Sequence, residues 1–145
     1  MASTGTLVWY GPALLRIFNA EINFGTHTFK GAIINSTYTP NKDTHDDWAD
    51  VSANQVTGTG WSGPVTLTGV TVDLDTTNHR LRFFAADISA SGVTLTDGKH
   101  LVIYDDTHAN DALIGYITFD TALAPSAGPL AIDFDGTLGV GRVTY

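Results

Sequence analysis

Apolar and polar positions alternate with a period of two along much of this chain. Val65-Thr66-Leu67-Thr68 and Val70-Thr71-Val72-Asp73-Leu74-Asp75 carry the alternation, which predicts strands, and the chain then turns into a further segment, Arg80-Leu81-Arg82-Phe83-Phe84. Phe29-Lys30-Gly31-Ala32-Ile33-Ile34 is instead nearly continuous in apolar residues and predicts a buried strand. His100-Leu101-Val102-Ile103-Tyr104 and residues 112–119 are the clearest strands, joined as a hairpin by the loop 105–111. Further strands are expected over residues 90–95, 130–134 and 138–145. Thr76-Thr77-Asn78, Thr96-Asp97-Gly98-Lys99 and Pro125-Ser126-Ala127-Gly128-Pro129 supply the turns between them.

Two segments depart from this rhythm. Pro12-Ala13-Leu14-Leu15-Arg16-Ile17-Phe18 places proline at a helix start and apolar residues at helical spacing, predicting about two turns of helix. In the polar stretch 41–50, Thr44 and Asp47 have the spacing of a capping box, and Trp48 and Val51 can anchor one face. A single helical turn lying over the sheet is expected there. Eight or nine short strands at this spacing, with one or two short helices, predict an all-β domain of β-sandwich or jelly-roll type. It would span residues 11–145, preceded by an extended arm over residues 1–10 that carries Leu7, Trp9 and Tyr10.

Composition narrows the functional classes. The chain has 145 residues, 43% of them hydrophobic and 15% charged, enough for one self-sufficient core. It has no cysteine, which removes disulfides, thiolate metal sites and cysteine nucleophiles together. Seven basic residues against fifteen acidic ones give a formal net charge of −8. Nucleic acid and anionic membrane surfaces are therefore disfavoured as partners, since both demand a basic footprint. So sparse a charged surface suggests that neighbouring molecules cover part of it. The first five residues lack the basic and apolar regions of a secretory signal. The uncharged stretch 51–72 is broken by Gly58, Gly60, Gly63 and Pro64, so no membrane span is expected.

Several motifs look like chemistry. Ile132-Asp133-Phe134-Asp135-Gly136-Thr137-Leu138 matches the nucleophile motif of haloacid-dehalogenase-type phosphatases. In those enzymes the first Asp attacks phosphorus and the second acts as acid and base, and further ligands follow far downstream. Only ten residues follow Asp135, so a strand ending in a glycine turn is expected instead. Gly58-Thr59-Gly60-Trp61-Ser62-Gly63 spells a dinucleotide fingerprint but precedes a strand and not a helix, which predicts a glycine bend carrying an aromatic. Asp43, His45, Asp46 and Asp47 form one polar cluster, and Asp105, Asp106, His108, Asn110 and Asp111 another. Neither has calcium-loop spacing, and Glu21 is the single glutamate. Solvated loops with Asx turns are expected at both. His27, His79 and His100 are scattered, and Asn35-Ser36-Thr37 is a glycosylation sequon with no secretory context. No catalytic, cofactor-binding or metal-ligating residue is nominated, and an enzyme is not expected.

The order of segments resembles a family of small structural proteins of tailed bacteriophages, described as head decoration, cement or minor structural proteins. The resemblance runs from Pro12 to the C-terminus. It is carried by the Ala/Leu helix, Phe29-Lys30-Gly31-Ala32-Ile33-Ile34, Ser36-Thr37-Tyr38-Thr39-Pro40-Asn41 and the acidic His-bearing turn. Val56-Thr57-Gly58-Thr59-Gly60-Trp61, Val65-Thr66-Leu67, Val102-Ile103-Tyr104-Asp105-Asp106-Thr107 and Leu113-Ile114-Gly115-Tyr116-Ile117 continue it. Trp61 stands where that family usually has tyrosine. The resemblance implies a protein made in the host cytoplasm and carried on the virion, at the outer capsid surface. There it would bind the major capsid protein and copies of itself as a homo-oligomer, without nucleic acid, membrane or cofactor. An alternative within the same resemblance is a tail or neck protein, or a module that binds host-surface glycans through exposed aromatics such as Tyr38, Trp48 and Trp61. A phosphatase using Asp133 and Asp135 is the third and least favoured reading.

Overall fold

The computed structural model describes Ala2 and Ser3 by their backbone and residues 5–145 in full. Its frame is a five-stranded antiparallel sheet at the middle of the molecule. At its centre lie β3 (Phe29–Ile34), β8 (Gly98–Asp105) and β9 (Ala112–Leu123), flanked by β2 (Val8–Trp9) on the β9 side and β4 (Val65–Thr66) on the β3 side. The near-continuous apolar run noted in the sequence is β3, and the two clearest strands beside it are β8 and β9. A strand covered on both faces has no position to give to water, so period-two alternation disappears.

Odd and even positions of β3 enter two different cores. Phe29 and Ile33 join Leu101, Ile103, Ile117 and Phe119 on one face, and Ala32 and Ile34 join Val102, Tyr104 and Leu113 on the other. The first face is closed by a smaller sheet of β1 (Ala2–Ser3), β10 (Gly128–Ile132) and β7 (Ile88–Val93). Leu130, Ile132, Ile88 and Val93 supply its inward side. Packing between these layers is close. A Cβ on Gly31 of β3 would lie 3.2 Å from Leu101 and 3.4 Å from Ile88. Each fully buried Leu, Ile or Phe contributes about 1.5–3 kcal/mol of transfer free energy, so these layers dominate stability. The two packed sheets make the domain an all-β, sandwich-like fold.

The second face is covered by non-sheet elements. Tyr10, Ala13 of the helix α1 (Gly11–Phe18) and Val51 are wholly buried there. Trp48 stacks on Tyr104 with ring centroids 4.7 Å apart. Trp48–Asp50 and Ser52–Asn54 are short 3-10 turns, so a helical turn does lie over the sheet. Its capping box sits three residues later than expected, however, with Asp47 at the N-cap and Asp50 closing it. Both Asp47 and Asp50 have the short acceptor side chain that the motif needs, and Trp48, anchored on Tyr104, fixes which pair is used.

A third sheet projects from this sandwich. It orders β11 (Gly141–Thr144), β6 (Arg80–Phe84) and β5 (Thr71–Asp75), all antiparallel. In register, Asp73 faces Arg82 and Asp75 faces Arg80. Both pairs form ion pairs, at 2.6 and 2.8 Å, so one side of this sheet is a charged ladder. Its other side carries Val72, Leu74, Leu81 and Val143.

The segment expected to extend as an arm is woven into these layers. Leu7 enters the first core and Tyr10 the second. β1 pairs with β10 in parallel and β2 pairs with β9, while the Trp9 indole N–H donates to the Arg142 carbonyl at 2.9 Å. Met1 and Thr4 lie outside the described residues. Leu7 reaches its place because β9 and β11 carry glycine beneath it. A Cβ on Gly115 or Gly141 would come within 2.7 and 2.6 Å of Leu7 Cδ2.

Candidate functional site

Several of the residues that looked like chemistry in the sequence hold turns or short ion pairs. Asp133 is exposed just past the end of β10, and Asp135 accepts the backbone N–H groups of Thr137 and Leu138, both at 2.7 Å. Those bonds hold its carboxyl below the usual carboxylate range. Asp135 then bridges back to Gly139, giving a strand that ends in a glycine turn. The fingerprint-like glycines also make a tight turn. Gly58 and Trp61 exchange two backbone hydrogen bonds of 2.9 and 3.1 Å. Gly60 sits between them at φ +72°, in the left-handed region that glycine occupies without cost.

The first polar cluster is tied to the helix. Arg16 donates to the Asp46 carbonyl at 2.7 Å and lies 3.0 Å from Asp47 Oδ1. Asp50 accepts from the backbone N–H groups of Asp46 and Asp47, and the Asp46 bond is the main cause of its lowered pKa. His45 Nδ1 bonds the Tyr38 hydroxyl, which in turn bonds the Tyr10 hydroxyl, each at 2.8 Å. Burial raises the pKa of both phenols, so this chain satisfies polar groups that the second core would otherwise strand.

The second cluster centres on Asp105, which is fully buried. Its Oδ2 lies 2.5 Å from His27 Nδ1, and its Oδ1 accepts from the Thr107 and His108 backbone. Asp106 pairs with Lys30 at 2.9 Å, and His108 approaches Glu21 at 3.7 Å. Among the described residues no group of three or more His, Asp or Glu side chains converges as a metal site. His79 stands apart from both clusters, whereas His100 bonds Thr118 Oγ1 at 2.9 Å and meets the edge of the Tyr38 ring at 5.9 Å. The sequon residue Asn35 accepts the Thr37 backbone N–H in an Asx turn.

The aromatics expected to form an exposed stacking patch do not form one. Tyr38 and Trp61 are only 5% and 3% exposed, and Trp48 is half-buried against Tyr104. Each is needed to fill a core that a sequence pattern could not assign to it.

The exposed apolar surface lies elsewhere, in a groove between α1 and the β5–β6–β11 sheet. Its floor is an aromatic cluster. Phe24 stacks on Phe29 at 4.7 Å, tilts against Phe83 at 4.9 Å and meets the edge of Trp9 at 6.4 Å. Leu14, Ile17 and Phe18 form one wall; Val72, Leu81 and Val143 form the other. Phe18 at the mouth is 87% exposed, and Leu74, Val72 and Leu81 are 55%, 48% and 45% exposed. Sequence reasoning missed this surface because an apolar helix face and a strand alternation are ordinarily both turned inward. The one available signal was a surplus. α1 carries Ala13, Leu14, Leu15, Ile17 and Phe18, more apolar positions than a short helix can bury on one side, and Ala13 alone among them is fully buried.

No protein-family model, no curated protein and no solved structure matches this chain.

Proposed function

We propose that this chain is a structural protein of a tailed-bacteriophage particle that binds the outer surface of the head and reinforces it. The observation that carries this reading is a contiguous apolar surface displayed by α1, β5 and β6 on a tightly layered β scaffold. Monomeric proteins keep such surfaces small, and an apolar patch rimmed by polar residues marks a contact site. The resemblance of segment order from Pro12 onward points the same way, and the major capsid protein and further copies of this chain are the partners it implies. A net charge of −8 is compatible with work on the outside of a shell, away from packaged DNA.

The test is addition of the purified protein to expanded heads lacking it, followed by cryo-electron microscopy and thermal challenge. Regular density on the outer lattice and a raised disruption temperature are expected. Density confined to the tail or neck would move the protein to another part of the particle, and absence from every part would overturn the reading.

A further inference from the structure

The groove between α1 and the β5–β6–β11 sheet is shaped for one inserted apolar side chain. We propose that it receives Phe18 of a second copy of this chain, in a twofold exchange in which each copy fills the other's groove. The contact would serve the self-association that the virion reading implies, but it rests on the groove alone.

Knob and hole are neighbours on the same molecule. Phe18 projects from the last turn of α1 with 87% of its surface bare. Its inner side borders the groove, which is partly open and holds about 190 Å³. Apolar cavities of ~150 Å³ stay dry and hold a benzene ring, so a phenyl group fits. Every lining side chain except Arg82 is apolar, and none is acidic. A surface that carries a protruding ring next to a ring-sized hole is complementary to itself, as an isologous twofold interface requires.

Area decides whether the patch is large enough for a specific contact. With a fully bared side chain presenting ~150–200 Å², Phe18, Val72, Leu74 and Leu81 together expose roughly 400 Å². Burying that patch on both copies, about 800 Å² in all, together with Leu14 and Val143 of the groove walls, approaches the ~1,000 Å² that a specific interface needs. An interface at the low end of that size class is expected to be reversible, with its strength set by how well the ring fills the groove. Each copy carries a net charge of −8, so the copies repel at long range. Salt screens that repulsion and leaves the apolar contact, so association strengthens as salt is raised. A groove made for a basic partner would show the opposite dependence.

Sedimentation velocity of the full chain from about 1 to about 200 μM, at low and high salt, tests this. The wild type should pass from monomer to dimer, more readily at high salt. Phe18→Asp should weaken the dimer at least ~30-fold, and Val72→Asp on the opposite wall should do the same. Val8→Thr, on a different exposed position, should leave it unchanged. Circular dichroism confirms that each variant is folded. A wild type that stays monomeric at the highest concentration in both salts overturns the inference, and so does a dimer that survives Phe18→Asp. If the wild type is monomeric yet Phe18→Asp abolishes binding to heads, the groove belongs to a capsid protein. That result removes this inference and leaves the virion reading standing.

Discussion

Leu7 is the position at which the integration of the N-terminal segment can be measured. It is 5% exposed in the first core, and its Cδ2 sits above Gly115 and Gly141, where a Cβ would come within 2.7 and 2.6 Å. Leu7→Ala removes a buried side chain from a place where two glycines have no atoms to fill the gap. Buried Leu→Ala changes cost about 2–5 kcal/mol, rising with the cavity left behind, and the rigid strands beneath argue for about 3. For a chain of this size, unfolding entropy near 2.1 cal/mol/K per residue converts that loss to a fall in Tm of roughly 10 °C. Gly115→Ala pushes from the other side. Its new methyl would meet Leu7 Cγ and Cδ2 and the Val8 carbonyl, each at 2.7 Å, costing about 1–3 kcal/mol by overpacking. Because the two substitutions share a contact, Gly115→Ala should cost about 1 kcal/mol less in the Leu7→Ala background. Urea unfolding of the four proteins, with equal m-values, gives the cycle. A Leu7→Ala loss below ~1 kcal/mol, or strict additivity, would refute this account of how the segment is held.

Two further outcomes follow from backbone and burial. Burial lowers the pKa of His100 from its ordinary 6.5, so between that value and the folded one the unfolded chain binds more protons and stability falls as pH falls. The stability difference between wild type and His100→Gln should therefore be larger at about pH 7.5 than at about pH 5, and urea midpoints that move in parallel would show that His100 does not titrate as described. Gly139 has φ +78° and an added Cβ would collide with the Phe83 carbonyl oxygen, whereas Gly136 has nothing within 4 Å of the same position. Gly139→Ala should cost about 2–3 kcal/mol and Gly136→Ala under ~0.5, and equal melting temperatures would contradict that assignment.

The strands were legible wherever burial imposed a pattern. β3 and β6 have the bounds that alternation and apolar content predict, 29–34 and 80–84. The helix and the turn over the sheet were also visible, because proline, the apolar spacing after it and the aspartates of the turn act locally. Sheet order was not. β3 pairs with β8 and β4, which lie far along the chain, and a period of two says which face a residue takes but not which neighbour. The same limit hid the groove. Val72 and Leu74 alternate as a core-facing strand would, yet the third sheet stands off the sandwich far enough to leave them bare. The burial of Tyr38 and Trp61 was hidden for the converse reason: both lie outside the regular strands, where periodicity carries no information.

The acidic surplus has a structural origin. Fifteen acidic residues include one glutamate, and aspartate is the carboxylate short enough to reach backbone N–H groups two or three residues away. Asp75, Asp105 and Asp135 do this within their own turns, and Asp87 and Asp97 reach across to Phe134 and Ser36. Asp75, bonded by Asn78 and then by Arg80, is held at about 2 as a result. A β fold with many short loops must satisfy many exposed turn amides, and aspartate does so at the cost of a negative charge each time. Turn-capping aspartates are thus sufficient to produce sequence clusters that look like a phosphatase nucleophile or a cation loop. Net charge alone therefore does not locate a binding site on this surface, and the proposed contact rests on the apolar groove, where no turn needs a carboxylate.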